Sequence, residues 1–121
     1  MTETLGARFA RAIADKDEDA LRGVLSDEVD FRALTPRRAW EGTSPDDVVD
    51  AVFGFWFEAS DRIERADVAD GDTVADTAHV SYRFDLVNGD GDFVAEQQVY
   101  YRVDAGRMSY VRVVCSGYRP V

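Results

Sequence analysis

Apolar residues recur at Leu5, Phe9, Ala12 and Ile13, the spacing of one helical face, while Arg8, Arg11 and Asp15 fall elsewhere. This predicts a first helix over residues 3–15. Asp17 is placed to cap a second, short helix that repeats the pattern in Ala20, Leu21, Val24 and Leu25. From Val29 the period changes to two. Val29, Phe31 and Ala33 alternate with Asp30, Arg32 and Leu34, the mark of a strand with its first set inward.

Thr35-Pro36 and Arg37-Arg38 end that strand. Ser44 as N-cap, Pro45 at the first helical position and Asp47 completing a capping box then announce a third helix. It carries Val48, Val49, Val52, Phe53, Phe55, Trp56 and Phe57, an arc that widens until its last turns read as buried all round. Gly54 inside it costs about 1 kcal/mol relative to Ala, which predicts a neighbouring backbone or ligand needing the space.

After Ser60 period two persists over roughly 62–69, 74–87, 93–104 and 107–118, separated by Asp-Gly-Asp, Asn-Gly-Asp-Gly-Asp and Asp-Ala-Gly. These read as hairpin turns, where Gly and Asn supply positive φ. Helices followed by long antiparallel strands give an α+β domain, a curved antiparallel sheet wrapped around three helices. At 121 residues the chain is expected to form one domain, 1–121.

Composition removes several functions. The 14 Lys+Arg stand against 24 Asp+Glu, a net charge of −10, which disfavours nucleic acid and anionic membranes as partners. Of the acids 17 are Asp, and Lys16 is the only Lys, a skew that fits a high-salt cytosol or high-GC coding. One Cys and one His leave no disulfide and no thiolate or multi-histidine metal site. No cofactor is implied. Neither a signal sequence nor an apolar run approaching the ~20 residues of a membrane helix is present, so a soluble, cytoplasmic protein is expected.

The pattern around Asp17-Glu18-Asp19-Ala20-Leu21 running into Leu25-Ser26-Asp27-Glu28-Val29, then Trp40-Glu41-Gly42, then Tyr100-Tyr101-Arg102-Val103 before Gly106-Arg107, resembles the nuclear transport factor 2-like superfamily. The likeness is to its polyketide-cyclase (SnoaL-like) and ketosteroid-isomerase-like branch and covers nearly the whole chain. It implies a cone-shaped, cystatin-like α+β barrel with a pocket between helices and concave sheet that binds a small hydrophobic molecule. It also implies dimers through the outer sheet face. Steroid isomerisation needs an Asp base and Tyr and Asp donors. By approximate alignment those positions fall at Phe9, Ala33 and Val99, none of which moves a proton.

The same alignment puts Val80, Tyr82 and Phe84, then Ala95, Gln97, Val99 and Tyr101, then Val111, Val113 and Cys115 on the concave face. Tyr82, Gln97 and Tyr101, with Trp40 and Trp56 at mouth or floor, are therefore the expected ligand-binding residues. Bonding of Tyr to Gln across strands is the structural alternative. His79 falls on the opposite face, a surface or dimer-face residue unless a bulge flips the phase. Cys115, among valines, reads as inert packing. The Asp-Gly-Asp turns miss the calcium-loop pattern, and no nucleophile elbow, phosphate loop or dinucleotide fingerprint occurs.

Two functions follow as expectations. The first is binding of a small hydrophobic molecule, with cyclisation, isomerisation or hydration helped by Tyr82 or Tyr101 donating and Gln97 orienting. A carboxylate base is missing, and Asp30 serves only if its strand shifts by one residue. The alternative is a noncatalytic homodimeric module that uses the outer face, with Gln98, Tyr100, Arg102, Tyr110 and Arg112.

Overall fold

The computed structural model describes residues 3–121. Its helices are α1 (Leu5–Ala14), α2 (Glu18–Gly23) and α3 (Pro45–Ala51), and its strands are β1 (Leu25–Thr35), β2 (Arg38–Gly42), β3 (Arg62–Asp70), β4 (Ala78–Asn88), β5 (Gly91–Asp104), β6 (Arg107–Cys115) and β7 (Arg119–Pro120). The expected α+β class is what the chain forms.

Capping sets where the helices begin. The Thr4 hydroxyl accepts from the Ala7 N–H at 3.0 Å, so α1 starts at Leu5 rather than residue 3, and it buries Phe9, Ala12 and Ile13. Asp17 caps α2 through the Ala20 N–H at 3.0 Å. At α3 the Ser44 hydroxyl accepts from the Asp47 N–H, and the Asp47 carboxylate accepts from the Thr43 N–H at 2.9 Å.

Beyond α3 the backbone widens into a π-helical turn over Val52–Trp56, closed by the Phe57 N–H bonding the Val52 carbonyl at 2.7 Å. Trp56 and Phe57 point inward, but Phe55 is 59 % exposed, so this segment is not buried all round as its composition predicted. Gly54 does not make room for a neighbour either. A Cβ placed there would meet nothing within 4 Å.

The sheet runs β2-β1-β6-β5-β4-β3, with β7 on β5. Val29, Phe31 and Ala33 of β1 are buried while Asp30, Arg32 and Leu34 are exposed, so that phase is as read from the sequence. Pro36-Arg37, with Arg37 at φ +70, reverses the chain and makes β2 a hairpin partner of β1 that the alternation did not reveal. β1 also pairs in parallel with β6, so the sheet is mixed rather than wholly antiparallel. It is curved but not closed, with β2 and β3 at its edges. Hairpin signals specify neighbours in sequence, whereas the parallel pair joins strands on either side of four others.

The later strands shift modestly from their expected bounds. Val74 bridges Thr77 in a small turn, and β4 begins only at Ala78. Ala105 and Gly106 both have positive φ, as a two-residue hairpin turn with right-handed strand twist needs. The largest departure lies at the end of β6. Gly117 at φ +72 breaks the strand, Ser116 bonds around Glu96, and β7 then resumes along the same edge of β5. Val80, Tyr82, Phe84, Ala95, Gln97, Val99, Tyr101, Val111 and Val113 are all buried on the concave face.

Candidate functional site

One end of the cone is filled. Phe9, Ile13, Leu21 and Leu25 are fully buried there, and the Tyr101 hydroxyl accepts from the Gly6 N–H at 3.1 Å. At the other end, between the π-turn, β2 and the break before β7, lies a cavity of about 570 Å³. Its aromatic wall is Trp40, Phe55, Trp56 and Phe57, and its polar wall includes Asp61, Asn88, Cys115 and Tyr118. Trp40 meets Phe55 at 5.2 Å and 55°, and Trp56 edge-on at 5.9 Å and 86°. The rings form walls set at angles rather than a stack.

Asp61 is the buried carboxylate of this site, only 7 % exposed. Its Oδ2 accepts from the Glu58 N–H at 3.0 Å and the Tyr118 hydroxyl at 2.8 Å, and its Oδ1 accepts from Asn88 Nδ2 at 2.9 Å. Three of about four lone-pair positions are thus used, leaving one on Oδ1. The Tyr118 oxygen also lies 2.6 Å from the Trp56 carbonyl, so one phenolic proton serves two acceptors. Burial, then the bond to Asp61 and its charge, pushes the Tyr118 pKa far above its ordinary value. Tyr118 is therefore a neutral donor. Beside it, Lys16 at φ +56 donates to the carbonyls of Phe57 and Glu58 at 3.0 and 2.6 Å. Burial lowers the Lys16 pKa, and the charges of Asp61 and Glu58 oppose that shift.

The structure divides the residues expected at the site into three places. Trp40 and Trp56 line the cavity. Tyr82 and Gln97 are buried on the sheet and do not line the cavity, the Tyr82 hydroxyl donating to Gln97 Oε1, and burial, with a smaller effect of Cys115, raises the Tyr82 pKa well above normal. Tyr101 is at the filled end and does not line the cavity. Among the described residues two buried side-chain donors have no partner, Trp56 Nε1 and Gln97 Nε2. Cys115 is half-buried on the cavity wall, not packed in the core as its valine neighbours predicted, because the strand breaks just after it.

Asp30 faces outward and pairs with Arg112 at 3.2 Å, so β1 makes no one-residue shift toward the site. His79 stacks on Tyr100 at 4.6 Å on the outer face and contacts Gln98 Oε1. Phe9, Ala33 and Val99 are core residues. Asp61 and Tyr118 were missed for two reasons. Asp61 sits in a connection, where periodicity carries no signal, and Tyr118 had the outward phase until Gly117 reset it. The Ser116-Gly117 pair was the available clue to that reset.

Neither known family profiles nor curated proteins give a match to the sequence. Solved structures do. A proposed isomerase from Rhodopseudomonas palustris superposes with TM-score 0.73 at 20 % identity, over 97 % of this chain and 93 % of that one. An NTF2-like protein from Burkholderia thailandensis gives 0.69 at 20 % identity, over 93 % and 88 %. The chain has the NTF2-like fold. A proposed polyketide cyclase from Sinorhizobium meliloti shares that NTF2-like architecture at TM-score 0.62 and 13 % identity, over 93 % and 94 %. At these identities the likeness concerns the NTF2-like fold and not an activity. Among the described residues no helix is long and apolar enough to cross a membrane, and no group of three or more His, Cys, Asp or Glu side chains is placed to hold a metal.

Proposed function

We propose that this NTF2-like protein binds a small, mostly apolar molecule in the cavity between the π-turn and β7 and acts on it by proton transfer, in a cyclisation, isomerisation or hydration. The observation that carries the reading is Asp61, a buried carboxylate with an open lone pair on the wall of an aromatic cavity. It supplies the base that the sequence lacked. Tyr118 steadies Asp61, and Trp40 and Trp56 hold the flat face of the ligand. Tyr82 and Gln97 lie behind the cavity wall and have a structural role, bonded to each other there. Tyr101 has a structural role at the filled end.

The test is titration of tryptophan fluorescence with flat uncharged probes such as 2-naphthol. Saturable binding is expected, weakened at least fivefold by Trp40→Leu. No saturable response, or one that Trp40→Leu leaves unchanged, overturns the reading.

We also infer a homodimer through the outer sheet face. There Arg102 and Arg112 lie 4.2 and 3.9 Å from the Tyr110 ring centre, and His79 stacks on Tyr100. The noncatalytic module keeps only this surface. A dimer by light scattering that Tyr110→Asp dissociates, in a chain that binds no probe, would favour it.

A further inference from the structure

The charges around the cavity carry the assignment of the ligand one step further, resting on the binding reading above. Its acidic lining residues are Glu58, Asp61 and Asp90, and among the described residues no Lys, Arg or His lines it. Two cations stand at its margins. Lys16 is engaged with the Phe57 and Glu58 carbonyls, and Arg38 lies over Trp40. Three carboxylates against these two leave an excess of negative charge, which opposes an anionic ligand and gives a neutral one nothing.

The rings add a second, independent preference. Trp40 meets Phe55 at 55° and Trp56 at 86°, so the rings are not stacked face to face, and all three line the cavity. They already attract a cation. The Arg38 guanidinium carbon sits 3.6 Å from the Trp40 ring centre and 5.3 Å from that of Phe55. An angled aromatic box faced by carboxylates suits an alkylammonium group, which is too weakly hydrated to hold its water shell against such walls. The net charge of −10 favours the encounter as well.

We propose that the cavity takes a small organic cation, an alkylammonium group seated against Trp40, Phe55 and Trp56 with Glu58, Asp61 and Asp90 facing it. The apolar remainder of the molecule lies toward Phe57, and about 570 Å³ leaves room for both parts.

The experiment compares three probes of nearly one shape on the full chain by calorimetry and tryptophan fluorescence. They are choline, its neutral isostere 3,3-dimethylbutan-1-ol, and the anionic 3,3-dimethylbutanoate. Choline is expected to bind roughly tenfold or more tightly than the alcohol, with the carboxylate weakest. The preference shrinks as salt rises. Phe55→Ala, which removes an exposed ring, is expected to weaken choline at least threefold and the alcohol less, and Asp90→Asn to weaken choline alone. Equal binding of choline and the alcohol overturns the cation assignment and leaves the pocket reading standing. Tighter binding of the carboxylate does the same. If none of the three probes and no flat probe binds, both readings fall.

Discussion

The two ends of the cone share one concave sheet face, yet one is solid and the other hollow. At the solid end a regular helix, α1, comes close enough that a Cβ on Gly6 would stand 2.8 Å from Val80 Cβ and from the Tyr101 ring and hydroxyl. At the hollow end α3 passes into a wider π-turn whose Gly54 faces open space. Both elements carry a glycine and a run of apolar residues. The hollow therefore follows from backbone geometry and not from a shortage of apolar side chains.

That contrast is open to direct attack. The largest effect is expected from Phe9→Ala at the solid end, a loss of about 3–5 kcal/mol in chemical denaturation, against a change within about 0.5 kcal/mol for Phe55→Ala. Similar losses at both positions would show that the two ends are packed alike. Next come the glycines, with opposite signs. Gly6→Ala is expected to cost about 1–3 kcal/mol, because its neighbour is the branched Val80 Cβ, which no rotation moves away. Gly54→Ala is expected to stabilise by about 0.5–1 kcal/mol, since the helical backbone suits Ala and nothing is displaced. A destabilising Gly54→Ala would mean that the space beside it is needed after all.

The smallest effect near neutral pH, and one that sharpens the contrast only in alkali, concerns Tyr82 and Tyr118. Both phenols have pKa values raised by burial, so the folded state holds their protons more tightly than the unfolded chain does. Their contribution is constant below the unfolded value of about 10 and declines as the pH rises past it. Denaturation midpoints measured from pH 8 to 11 should fall above about pH 10, and less steeply in Tyr118→Phe. An unchanged slope in that variant would place the alkaline loss elsewhere.

Much of the architecture was legible because period two and period 3.6 are local. Val29, Phe31 and Ala33 and the capping box at Ser44 and Asp47 follow from alternation and caps alone, and the inward set from Val80 to Val113 from strand phases matched to the family resemblance. What escaped depends on single residues with unusual backbone. Arg37 at φ +70 makes a hairpin where a strand end was read, and Gly117 at φ +72 turns Tyr118 from solvent to cavity. The site was legible in part for the same reason. Trp40 and Trp56 fall where the rings were expected to close the cone, but Asp61 lies in a connection and is defined by Glu58, Asn88 and Tyr118, which only the folded chain brings together.

The parallel pairing of β1 with β6 has a consequence for the order of assembly. Asp30 and Arg112, bonded across it, are 82 positions apart, so closing this contact gathers most of the chain into one loop at a substantial entropic cost. On a ribosome the β1–β2 hairpin emerges long before the strand that anchors it, and until β6 arrives its apolar Phe31 side has no sheet to lean on. Pairing of β1 therefore waits until β6 has been made, and this one distant encounter adds a slower step than the hairpins from β3 to β6 require.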